Sequence, residues 1–438
     1  MGERQIARTA LETLQWFVFL LASAVALPIV IGSIFELDFS ETAGLMQRTF
    51  FVVGVTTFLQ GWLGHRLPIM EGPAGLWISI FAVMAVTGAQ AGQSGRETLQ
   101  SLEAMMLLTG GFLAVFGLFK LSQKVLSLFT PMVTGAFLFL LTVQLSGTFL
   151  RGMLGIQQEV EGIHSSEAMI AFGTFFLVLV LSIFGKGWLK GYAVLIGILA
   201  GWVFYRIVIG AEQTGGSDGV RTFASPEWLA WGAPQFDWSL LPIAFITAVI
   251  LLSNVVASVV AVSQSLHGRP AYRLDQINRG SAFLGVTHGI SGMFSAVANV
   301  PLASSAGFAD LTGQKRKSPF MYAALVMTGL AFFPQLVAFI SGIPSPVANA
   351  ALLATFVQLM GLGLSNIASE TLDQRKLTIL CVSFLIGIGI MFLPTEVFRN
   401  LPALVQNVVS NGLIVGTVLV IVFDQMWKES RRDHTASR

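Results

Sequence analysis

The side chains in this chain that could do chemistry sit where lipid-facing sequence should exclude them. Glu71 stands beside Gly72-Pro73, Asn254 interrupts the run Leu252-Ser-Asn-Val-Val, and Asp310 lies between Ala309 and Leu311. Polar and ionisable groups at membrane depth are costly and mark ion or substrate paths. Asp310 belongs to Ser295–Gly313, a stretch crowded with small and polar residues and broken by Pro301. Backbone groups left unpaired find no water in hydrocarbon. Irregular chain therefore survives there only when buried in protein or lining a cavity. The stretch reads as the wall of a substrate site. A transported proton has two candidate carriers, Glu71 and Asp310. Glu71 is the better placed, because Asp310 lies only five residues from Lys315.

These residues are carried by a membrane-type chain. Of 438 positions, 54% are hydrophobic and 11% charged, and the mean hydropathy is +0.75. A soluble domain holds about 25% charged residues, so a polytopic membrane protein is expected. The net charge of +2 gives no reason to expect nucleic acid as a partner. The single cysteine, Cys381, forbids an internal disulfide framework. Residues 13–35 are too long an apolar run for a cleavable signal and read as a first span.

A spanning helix needs about 20 mostly apolar residues. Twelve such runs occur, near 13–35, 48–63, 104–120, 130–149, 167–185, 190–209, 238–263, 280–296, 319–341, 346–364, 377–393 and 404–424. Two more are interrupted, 70–88 and Ser295–Gly313, which makes fourteen. With the N-terminus in the cytoplasm, nineteen of the 25 Lys and Arg residues fall inside and six outside, the positive-inside bias. The outer segments carry acids instead, among them Glu36, Asp38, Glu97 and Glu103. The interrupted segments are the third and the tenth, each third within a half of seven. Paired breaks of this kind point to an inverted-repeat transporter with its site between two half-helices. Their N-terminal N–H groups attract carbonyl oxygens or an anion.

The run Gly285-Val-Thr-His-Gly-Ile-Ser-Gly-Met-Phe-Ser-Ala-Val-Ala-Asn299, with Ser304-Ser-Ala-Gly307 and Thr312, resembles the nucleobase–ascorbate transporters, nucleobase:cation symporter family 2. Leu14-Gln15-Trp16 with Pro28, Pro68 with Gly72-Pro73-Ala74-Gly75, Asn278-Arg-Gly280 and Ile343-Pro-Ser-Pro-Val347 match in the same order. The resemblance implies an all-α fold of fourteen segments in a 7+7 inverted repeat, with short extended strands in the third and tenth. It implies a core domain from 1–122 and 236–341, a gate domain from 123–212 and 342–426, and a cytoplasmic tail from 427–438. It also implies a homodimer in the cell inner membrane, both termini cytoplasmic. The expected activity is permease transport, not enzymatic, without cofactor or metal. The expected cargo is a purine-type base such as xanthine, uric acid or guanine, with H+ the coupling ion. A pyrimidine base such as uracil, or a small anion on the same fold, is the alternative.

By the same resemblance, substrate contacts are expected from Asn254, Ser304, Ser305, Ala303, Ser258, Gly75, Ser23 and Phe356. Asn299, Pro301, Gly307 and Gln15 are expected to shape the site. Two departures alter its chemistry. The family's carboxylate on the eighth helix falls on Asn254, and that of the tenth segment on Ser304. Histidine positions of the family hold Ser258 and Trp16. A carboxylate only accepts hydrogen bonds, whereas an amide offers one acceptor and two donors. Asn254 can thus read a mixed donor–acceptor edge but cannot carry a proton. Each of these residues also has a plainer role open to it. Polar side chains bond neighbouring helices and small ones permit close packing, and Trp77, Phe356 and His288 can be apolar filling. No P-loop and no cluster with metal-ligand spacing occurs, so ATP-driven or metal chemistry has no support.

Overall fold

The computed structural model describes residues 3–73, 75–90, 92–122, 124, 128, 130–156, 165–210, 221–267, 272–398 and 400–427. Most of it, 77%, is helix. The first helix, α1 (Glu3–Ile34), begins ten residues before the apolar run. Its polar first turns gain an i,i+4 pair, Arg8 Nε to Glu12 Oε1 at 2.8 Å, so helix outlasts hydrophobicity there. The next helix, α2 (Phe39–Trp62), starts from a capping box in which Asp38 and Glu41 satisfy each other's backbone N–H. The Glu41 N–H and the Ser40 hydroxyl hold the Asp38 carboxyl below the usual carboxylate range. After the strand β1 (Glu71–Pro73) comes α3 (Gly75–Gln90). The fourth helix, α4 (Gly95–Leu118), opens on a second capping box, Ser94 with Glu97. Thr130 caps α5 (Pro131–Met153), whose proline occupies a first-turn position that needs no N–H.

The chain continues through α6 (Ser165–Phe184), α7 (Ala193–Val208), α8 (Leu240–His267) and α9 (Leu274–Met293). Strand β2 (Asn299–Pro301) then leads into α10 (Ser304–Thr312). The last helices are α11 (Lys317–Leu330), α12 (Ser345–Ala368), α13 (Gln374–Met391) and α14 (Gly412–Met426). A short helix, Pro334–Ser341, follows α11 at a bend of 92°. Among the described residues, seven helices are long and apolar enough to cross a membrane, eight if that bent pair counts as one span.

Helix pairing follows small residues. The longest contacts join α4 to α9 and α5 to α12. Where α4 crosses α9, a Cβ added at Gly110 would lie 2.7 Å from the Gly285 carbonyl oxygen. The backbones approach that closely only because no side chain intervenes. Further pairs are α1 with α11, α2 with α11, α8 with α4, α6 with α7, and α13 with α14.

Residues 221–239 form a strap across helix ends. The Ala224 carbonyl accepts from Gln47 on α2, and the Leu229 N–H donates to the Met293 carbonyl on α9. Arg96 Nε and Gln100 Nε2 on α4 donate to the Trp231 carbonyl at 3.1 and 2.8 Å. Two charges expected on the outer face lie beneath this strap instead. Arg48, 5% exposed, donates to the Ser295 carbonyl at 3.1 Å, and its guanidinium sits over the Trp231 ring. Glu103, fully buried, accepts from the Ser295 hydroxyl. Ser295 has a φ of 48°, uncommon for a residue with a side chain. The two charged groups fasten that turn.

Candidate substrate site

The site is organised by β1 and β2. They pair antiparallel with Glu71 opposite Pro301, Gly72 opposite Val300, and Pro73 opposite Asn299. The Leu302 N–H extends the ladder to the Met70 carbonyl at 2.8 Å. All six strand residues are buried. Each strand thus spends on the other the backbone groups that lipid would leave unpaired. Both strands end in proline, and both lead at once into a helix, α3 at Gly75 and α10 at Ser304. Two helix N-termini therefore open beside one short ribbon.

Several expected site residues surround this ribbon. Ser258 on α8 donates to the Pro301 carbonyl at 2.8 Å. Ser305 accepts the Met70 N–H at 3.0 Å. Asn299 donates through Nδ2 to Thr56 Oγ1 at 3.2 Å, so it ties the ribbon to a side chain of α2. Ser23 on α1 faces Gly72: a Cβ there would stand 3.7 Å from the Ser23 oxygen. Phe356 on α12 presses on the start of α3, where a Cβ at Gly75 would lie 2.7 Å from its Cζ. Its own ring meets Phe149 edge-on at 5.0 Å.

Asn254 precedes Ser258 by one helical turn, so the two share a face of α8. Its side chain is half-buried and makes no hydrogen bond among the described residues. Ser304 is exposed at the first turn of α10, with Ala303 half-buried before it. Asn254 and Ser304 make no side-chain hydrogen bond among the described residues, whereas Ser258 and Ser305 are committed to the scaffold, and Asn299 bonds it through Nδ2 while its buried Oδ1 has no partner among them.

Other expected residues lie elsewhere. Asp310 is exposed two turns into α10 and accepts from Ser265 at 2.5 Å. Gly307 is exposed, and a Cβ there would meet nothing within 4 Å. The Gln15 side chain accepts from Gln314, away from the strands. Trp16 is fully buried against Phe308 and Phe320. Trp77 is also fully buried and donates to His288 Nε2 at 3.2 Å, which occupies both rings with each other. A groove of about 540 Å³ between α1 and α11, lined by Leu14, Phe17, Arg316 and Tyr322, is separate from the ribbon.

Glu71 differs from all of these. It is fully buried, and neither carboxyl oxygen has a hydrogen-bond partner among the described residues. Its nearest ionisable neighbour is His65, whose Nε2 stands 3.6 Å from Oε1. Sequence reading passed over His65. The available signal was its place six residues before Glu71, between two apolar runs.

Comparison with known proteins settles the family. A family model described as "Permease family" matches residues 7–396. The chain belongs to this family, the nucleobase–ascorbate transporters. It is a multi-pass membrane permease, not an enzyme. It is 31% identical to "Putative purine permease YwdJ" of Bacillus subtilis (strain 168), across 98% of this chain and 99% of that one. It is 26% identical to "Uric acid permease PucJ" of the same organism, across 93% and 90%. Among solved structures, the transmembrane domain of a cyanobacterium bicarbonate transporter, BicA, superposes with a TM-score of 0.63 at 14% identity, covering 94% of this chain and 98% of that one. At that identity the likeness is one of fold.

Proposed function

We propose that this permease is a secondary active transporter of purine-type nucleobases, coupled to protons, in which a core domain moves against a gate domain. The observation that carries this reading is the half-buried, unbonded Asn254 side chain on the same face of α8 as Ser258, which holds β2. An amide there offers both donors and an acceptor to the edge of an oxo-purine. The exposed Ser304 hydroxyl at the start of α10 offers a donor to a carbonyl oxygen of the base. Relatives named for purines and uric acid support the same cargo class.

The packing supports fourteen segments in two inverted halves. Adding seven to each helix number turns one contact into another. The pair α4–α9 maps to α2–α11, α8–α4 to α1–α11, α6–α7 to α13–α14, and α5–α12 to itself. The strand β1 before α3 maps likewise onto β2 before α10. Segments 1–4 and 8–11 then form the core, and 5–7 and 12–14 the gate. Positive charge on alternate loops favours cytoplasmic termini, and the family resemblance favours a homodimer. Glu71 is the proton carrier in this scheme, since Asn254 and Ser304 cannot serve. Asp310 is the weaker candidate because it is exposed.

The test is uptake of radiolabelled xanthine, uric acid, guanine and uracil into cells lacking their own permeases. Saturable, protonophore-sensitive uptake of a purine is expected. Uptake of uracil alone would move the assignment to pyrimidines, and no saturable uptake of any base would end it. The absence of a site carboxylate keeps a small anion as the second reading. Competition by sulfate or bicarbonate, but not by bases, would favour it.

A further inference from the structure

The turn between α2 and β1 fixes the protonation of one buried ring. The Leu67 N–H donates to His65 Nδ1 at 3.1 Å. An N–H can be accepted only by an unprotonated ring nitrogen, so Nδ1 carries no hydrogen and the neutral ring must carry its own on Nε2. That Nε2–H faces Glu71 Oε1 at 3.6 Å, too long for a hydrogen bond as it stands. Both side chains are fully buried, and His65 Nε2 and both Glu71 oxygens lack partners among the described residues. The backbones around them are fastened. Gln276 donates to the His65 carbonyl, and the Glu71 N–H donates to Thr57 Oγ1 at 3.1 Å.

Resting on the reading of Glu71 as proton carrier, we infer that His65 is a positioning residue, a fixed hydrogen-bond donor that receives the Glu71 carboxylate when the proton leaves. The O–H bond of the acid breaks, its proton passes to water on the side the site faces, and the Nε2–H stays on the ring. Closing the gap by several tenths of an ångström gives a charge-assisted hydrogen bond where the acid had none. His65 cannot itself take that proton, because its second nitrogen is held by Leu67. The groups packed around the pair agree. On α2 they are Thr57 and Gln60, and on α9 Gln276 and Gly280, all uncharged. Burial disfavours a charge on His65, and the positive charge of Lys317 at the start of α11 adds to that. Arg66, next in the turn, faces solvent.

The experiment is the pH profile of protonophore-sensitive xanthine uptake in the wild type, His65→Phe, His65→Gln and Glu71→Gln. His65→Phe removes the donor and should move the midpoint upward by about one pH unit. His65→Gln restores an N–H and should return it toward the wild type. The double variant His65→Phe/Glu71→Gln should match Glu71→Gln alone. An unmoved midpoint in a transporting His65→Phe variant overturns the inference. Unchanged pH dependence and protonophore sensitivity in Glu71→Gln instead overturns the underlying reading of Glu71. Should His65→Phe fail to reach the membrane, ¹⁵N NMR of purified wild-type protein decides, with His65→Gln assigning the signal. A neutral Nε2–H ring from pH 5 to 8 is expected, and a ring that protonates within that range refutes it.

Discussion

Ser305 accepts the backbone N–H of Met70 at 3.0 Å, across 235 residues of chain. The hydroxyl joins the start of α10 to the segment entering β1, so one of the four serines that sequence places at the cargo serves the ribbon. Ser305→Ala leaves a buried N–H unpaired, which costs about 1–3 kcal/mol. A lower melting temperature of the purified protein, with cargo affinity changed little in the surviving fraction, is the expected result.

Asn254 behaves in the opposite way. It makes no hydrogen bond among the described residues, so Asn254→Ala should alter stability by no more than about 0.5 kcal/mol. Uptake should nevertheless fall to background at normal membrane abundance. Near-normal uptake in that variant removes Asn254 from the site.

Gly75 has room for a hydrogen and little else, since its Cβ would lie 2.7 Å from Phe356 Cζ. Gly75→Ala must push the ring aside and should reduce uptake several-fold, and Gly75→Val should abolish it. Pairing Gly75→Ala with Phe356→Leu removes the obstructing ring and should recover much of the rate. Failure to recover would mean that the backbone at Gly75, not the ring, is the sensitive element.

Gly110 tests the helix pairing. A leucine there would wedge α4 from α9, since even a Cβ lies 2.7 Å from the Gly285 carbonyl. Overpacking of this kind costs about 1–3 kcal/mol, and more where backbone is the obstacle. Loss of folded protein from the membrane fraction is expected for Gly110→Leu, and a milder loss for Gly110→Ala.

Much of this architecture was legible because the membrane leaves few choices. Apolar runs must be helices, and Pro73 and Pro301 inside such runs had to be breaks that find a partner. The partner itself was recoverable only from the matching positions of the two breaks. What the sequence could not disclose is commitment. Ser258 and Ser305 look like cargo contacts by type, yet each bonds another element 43 or 235 residues away. Arg48 and Glu103 look like surface charges near helix ends, yet both fasten Ser295, 247 and 192 residues distant. Such bonds depend on the folded approach of remote segments, which hydropathy does not encode.

The strap, residues 221–239, bonds or stacks on α2, α4, α9 and the end of α11. All four belong to one of the two proposed bodies. A fluorophore attached at exposed Phe236, within that strap, would therefore ride with the core as a passenger. Its distance to a second dye on exposed Cys381 of α13 would gauge the stroke of the cycle from outside the site.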